Sequence, residues 1–118
     1  MVKRIINLPE SVLGFKFSRI SRNDFAKEIL PEVSQKTEKN PKLHFMYVIE
    51  NDPEGDFGVW FEDAIRRVQK RCCWNKTAFI TDCDRLSTHV KNFQKFMIGD
   101  YKIFKKSEEQ DAITWLMN

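Results

Sequence analysis

Glycine is scarce in this chain, with four residues in 118 and no two adjacent. A phosphate cradle built from closely spaced glycines therefore has no counterpart, and a nucleotide site is not expected. Histidine is rarer still. His44 and His89 both lack a cysteine or second histidine at ligand spacing, which leaves a zinc site without donors. Of the three cysteines two are adjacent, Cys72 and Cys73, so neither a paired disulfide framework nor a Cys-x-x-Cys redox motif is present. That usage fits a reducing cytoplasm. No serine has a basic partner to activate it, so nucleophilic catalysis has no candidate. No segment approaches the roughly 18 apolar residues of a membrane span. Residues 1–7 are basic without a sustained apolar stretch, so a signal peptide is not expected. The net charge of +3 is small and its positives are interspersed with acids, which argues against nucleic acid as a partner.

What is present describes a soluble globular domain. Hydrophobic residues make up 42% and charged residues 31%, enough apolar material for a core spanning residues 1–118 as one unit. Ten phenylalanines are many for this length and suit an aromatic core or an apolar groove. Strand-like and helix-like segments alternate from Lys42 onward, which predicts an α/β layer fold on a partly parallel sheet.

Residues 2–8 and 12–20 read as strands joined across Pro9-Glu10-Ser11, an antiparallel hairpin. Leu13, Phe15 and Phe17 alternate with Lys16 and Ser18. Ser21 with Asp24 resembles a capping box, opening a helix with Phe25, Ile29 and Val33 on one face. Pro31 removes a backbone donor there and predicts a kink. Residues 43–49 form a nearly unbroken apolar run, a strand. Residues 56–73 have helical spacing, with Phe57, Phe61, Ala64, Ile65 and Val68 as the apolar stripe. Glu62 faces Arg66 and Asp63 faces Arg67 one turn on. A strand at 77–81, a helix at 84–97 with Leu86, Val90, Phe93 and Met97 inward, and a short strand at 101–104 follow. A last helix, 107–117, opens at Ser107 and buries Ala112, Trp115 and Leu116.

Two acidic motifs invite chemical readings. The loop Glu50-Asn51-Asp52-Pro53-Glu54-Gly55 begins like a calcium loop, but its twelfth position is Phe61 and not a bidentate acid. Asp82-Cys83-Asp84 follows a strand, as in phosphoryl-transfer enzymes with an aspartate nucleophile, yet no lysine and further acidic cluster accompany it. A cap for the next helix is the simpler reading. In a parallel sheet Asp56, Asp82 and Asp84 share one strand-end edge, where their charges repel phosphate.

Trp60 and Phe96 flank the stripes of the second and third helices. With Phe57, Phe61, Phe93 and Met97 they can line an apolar groove between those helices, beside Lys70, Arg71, Lys91 and Lys95. Ordinary core packing with solvated lysines competes with that reading.

The segment order and several residues resemble the SpoIIAA-like family, which is related to the STAS domain. The resemblance is carried by Leu8-Pro9-Glu10 through Val12-Leu13-Gly14-Phe15 and by Ile29-Leu30-Pro31. Residues 43–49, 77–82, 101–104 and 112–116 complete it, over about Ile5 to Leu116. It implies a mixed sheet of about five strands, an N-terminal hairpin then βαβαβα, with four helices. Anti-sigma-factor antagonists carry a phosphorylated serine at the start of the second helix. Here that stretch reads Glu54-Gly55-Asp56-Phe57-Gly58, with no hydroxyl to modify, so a kinase-driven switch is not carried over. Constitutive partner binding is, with Asp56 and Arg67 as the partner-binding residues. A likeness in fold to lipid carriers implies instead a small apolar or amphiphilic ligand, with membrane-surface association. Its site would be Phe57, Trp60, Phe61, Phe93, Phe96 and Met97. Neither reading involves a cofactor, a metal or catalysis, and a homodimer would cover an exposed aromatic face.

Overall fold

A computed structural model describes residues 2–17, 22–39, 43–50, 67, 76–92 and 100–118. Strands β1 (Val2–Ile5) and β2 (Val12–Phe17) form the expected antiparallel hairpin, with Val2 opposite Phe17 and Ile5 opposite Gly14. β3 (His44–Ile49), β4 (Thr77–Ile80) and β5 (Tyr101–Phe104) then add in parallel, giving one sheet in the order β1-β2-β3-β4-β5. The sheet is mixed and five-stranded, as the sequence implied. β1 is shorter than expected, because Asn7 adopts φ 64 and turns the chain back over the sheet. Asparagine tolerates this left-handed conformation better than most residues.

The segment after β2 starts as an α-helical turn (Arg22–Asp24), passes through a π-helical turn (Phe25–Ile29) and continues as α1 (Leu30–Lys39). The N–H of Leu30 bonds to Phe25 O, one residue further back than in an α-helix. The irregularity expected at Pro31 thus takes the form of a π turn immediately before it, where the ladder can skip the missing donor. Helix α2 (Asp84–Asn92) connects β4 to β5. A 3₁₀ turn (Lys106–Glu108) leads into α3 (Glu109–Met117). The expectation of four helices is not met among the described residues, since the stretch 56–73 lies outside them, as do 93–97 and Ser21.

Two cores lie on opposite faces of the sheet. On one, Leu13, Phe15, Phe17, Phe45, Tyr47, Ile49 and Phe79 meet Phe25, Ile29 and Val33 of the first helical segment and Val90 of α2. Tyr47 stacks between neighbours, 5.8 Å from Phe79 and 6.5 Å from Phe15. On the other, Val12, Met46, Val48, Ala78, Ile80 and Phe104 are covered by Ala112 and Leu116 of α3. The helical segments that follow β2 and β4 lie on one face, as crossovers of the same hand between parallel strands require. α3 follows the last strand and takes the face left open. Burial on both faces explains why residues 43–49 read as one apolar run, whereas β2 exposes Lys16.

The final helix starts differently from the expectation. Its 3₁₀ lead-in begins at Lys106, one residue before Ser107, and Glu108 closes that turn: its carboxylate accepts the N–H of Lys105 at 2.8 Å, and its own N–H donates to Lys105 O at 2.8 Å. Trp115 is half-buried, its ring tilted on Phe104 at 6.0 Å, while Ala112 and Leu116 are buried as expected.

Candidate functional site

The C-terminal ends of β2, β3, β4 and β5 share one edge of the sheet, the position where parallel α/β folds hold ligands. Along β5 this edge opens into a recess of about 750 Å³, within the range of small-ligand pockets. β4 brings Thr81 and Asp82 to it, α2 brings Asp84, Ser87 and Lys91, and Tyr101 through Lys105 form one wall, with Glu108 beyond. Asp84, Ser87 and Lys91 are spaced so that one helical face serves the recess. β5 contributes both of its faces, so the recess straddles the strand's outer edge.

Two of the three acids here, Asp82 and Glu108, have a traceable role, while Asp84 is exposed in the lining. Asp82 Oδ1 accepts the N–H of Lys106 at 3.1 Å, so it secures the turn into the last helix. The Thr81 hydroxyl accepts the N–H of Cys83 at 3.1 Å and shapes the strand-to-helix turn. Glu108 caps Lys105. Asp82 and Glu108 thus act as backbone acceptors, with Asp82 serving Lys106 where a cap for the next helix was expected. The lysines are arranged otherwise. Lys102 lies over the Phe104 ring at 5.3 Å, and among the described residues Lys91, Lys102 and Lys105 have no ion-paired carboxylate. The recess therefore presents three cations, with Asp84 the acid beside them, on a partly aromatic wall.

A second polar group sits at the same edge on the α3 side. Lys16 Nζ and Glu50 Oε1 are 3.0 Å apart. The hydrogen bond from Lys16 holds the Glu50 carboxyl below the usual carboxylate range, and the same bond raises Lys16. Glu50, the first residue of the calcium-like loop, is thereby committed to a lysine. Among the described residues no group of three or more histidine, cysteine, aspartate or glutamate side chains could hold a metal ion, and no helix is long and apolar enough to cross a membrane.

Of the residues singled out in the sequence, Asp56, Phe57, Trp60, Phe61, Phe93, Phe96 and Met97 lie outside the described residues. Arg67 is helical and exposed. Lys91 and the Asp82/Asp84 pair do meet in the recess. Lys102, Lys105 and Tyr101 were not anticipated there. The signal was the lysine inside an otherwise apolar last strand, but a local pattern does not reveal which edge a strand occupies. His44 has a structural role: its Nδ1 accepts the N–H of Lys76 at 3.2 Å.

No curated protein and no solved structure matches the chain. A family model does, over residues 12–117, which runs from the first residue of β2 to the last of α3. On that match, which covers nearly the whole chain and every parallel strand of the sheet, the protein belongs to the SpoIIAA-like family.

Proposed function

We propose that this chain is a non-enzymatic binding module that engages a partner at the recess beside β5. The observation that carries the reading is the division of labour among its charges. Asp82 and Glu108 serve the backbone, while Lys91, Lys102 and Lys105 line the opening and outnumber Asp84 there. Such a wall suits recognition of an acidic group better than proton transfer, which needs a carboxylate or imidazole aimed at a substrate. Membership of the SpoIIAA-like family supports binding over catalysis. Native mass spectrometry of protein recovered gently from its own cells tests this. A defined partner mass, lost in a K91E/K105E variant of unchanged fold, is the expected result. A bare chain in both proteins would overturn it.

A second reading rests on the aromatic residues at 57, 60, 61, 93, 96 and 97, which the sequence places beside basic ones. It holds that a small apolar or amphiphilic ligand sits between the second and third helices, with contact to a membrane surface. The same spectra separate the two, because a small mass excess that vanishes on denaturation identifies a carrier. Substituting both Trp60 and Phe96 with Ala should then weaken uptake more than folding. If the partner instead uses the face near Asp56 and Arg67, charge reversal there abolishes capture while K91E/K105E does not.

A further inference from the structure

The recess runs along an edge strand, and the hydrogen-bond register shows which backbone groups face it. Thr77 N–H donates to Asp100 O and Thr81 N–H to Phe104 O, both at 2.9 Å. Peptide groups alternate along a strand, so those of Lys102 and Phe104 aim at β4 while those of Ile103 and Lys105 aim away. The Lys105 N–H is already taken by Glu108. β5 is last in the strand order, and among the described residues nothing meets the outward N–H and C=O of Ile103. The open recess lies directly over this stretch.

We propose that β5 accepts an extended acidic peptide segment as a sixth strand. This rests on the recess being the binding face and names the class of partner it takes. Main-chain bonds to Ile103 supply the docking geometry, and the lysines supply the choice of sequence. A second copy of β5 is a poor occupant, because pairing two such edges crowds Lys102 and Lys105 of both copies along one seam. An acidic segment turns the same repulsion into attraction. Carboxylates on one side of it reach Lys102, while its alternate apolar side chains lie along Tyr101 and Ile103 on the other, with Lys91 and Lys105 adding positive charge there.

The test is the full chain titrated with a labelled peptide of alternating glutamate and valine, beside its lysine–valine counterpart, at low and high salt. The acidic peptide should bind, the basic one should not, and affinity should fall with salt. Binding should slow exchange of the Ile103 amide and leave the Lys102 and Phe104 amides, already bonded to β4, unchanged. I103P removes the outward donor without touching the bonds to β4, so it should weaken binding about tenfold, a difference of about 1.4 kcal/mol. I103A, which keeps that donor, controls for the lost side chain. Charge reversal in K102E should weaken binding at least as much and needs no backbone change. Equal affinity for both peptides, or an Ile103 amide whose exchange does not change, overturns strand addition. Loss of binding in K102E with no change at Ile103 also overturns it, yet leaves the recess as a binding face. Absence of peptide binding beside a captured cellular partner defeats this proposal alone, whereas absence of both defeats the binding module itself.

Discussion

Leu8 lies over Gly14 so closely that its Cδ1 would be 2.6 Å from a Cβ placed on that glycine. Asn7 turns the chain, Leu8 drops onto the sheet, and the missing side chain at Gly14 leaves the room. Ile5 borders the same spot at 3.3 Å. The contact fastens the β1–β2 connection to the face covered by α3.

A methyl group at Gly14 displaces only the tip of a flexible side chain. G14A should therefore change stability by about 1 kcal/mol or less, since reduced unfolded-state freedom offsets part of the cost. The larger G14V should cost about 1–3 kcal/mol by overpacking. Adding L8A to G14V should recover part of that loss, because the two side chains compete for one volume. Strictly additive effects in denaturant melts would show that Leu8 does not occupy the space.

Lys76 tethers the end of α3 to the sheet. Its Nζ donates to Trp115 O at 3.1 Å and lies 5.2 Å from the Trp115 ring centre. A cation at a helix C-terminus also suits the dipole. K76M keeps the stem and loses the charge, and should lower stability by about 1 kcal/mol, with K76R recovering part. A melting temperature equal to that of the unsubstituted chain in K76M would remove this tether from the account.

His44 makes stability depend on pH. Burial holds its imidazole below the usual histidine range, and the Lys76 charge acts in the same direction. Its Nδ1 accepts a backbone N–H, which a protonated ring cannot do. The unfolded chain therefore binds the proton first as pH falls through about 6.5, and its contribution is present above that value and lost below it. Denaturant midpoints measured from about pH 8 to 5.5 should fall for the natural sequence and stay flatter for H44Q. H89Q is the matched control, and a flattened curve there with an unchanged H44Q would reassign the effect.

Phe79 is wholly buried at the centre of the aromatic core, stacked on Tyr47. F79A should cost about 3–5 kcal/mol, since central strands leave little freedom for the cavity to collapse. F79L, which keeps most of the volume, should cost far less. A loss in F79A no larger than in F79L would mean that the cavity does close.

Much of the architecture was legible because it depends on neighbours in the chain. Alternation at Leu13, Phe15 and Phe17 marked the strand and its buried side, and the run at 43–49 marked a strand buried on both sides. Phe25, Ile29 and Val33 marked one helical face, and Pro31 the interruption before which the π turn forms. The site was legible only in fragments. Lys91 and the Asp82/Asp84 pair were noted, but as parts of other arguments, and Lys102 and Lys105 were passed over.

The sequence by itself determined the α/β class, the hairpin and the inward-facing residues of β2, β3 and the first helical segment. Side-chain periodicity is set by backbone geometry and needs no distant partner to be read. Only the tertiary structure decided that Asp82 bonds to Lys106, that Leu8 fills the space above Gly14, and that the recess gathers lysines from α2 and β5. Each of these depends on where the chain returns. That is settled by burying two apolar faces at once, by the handedness of the crossovers and by which strand is left at the edge.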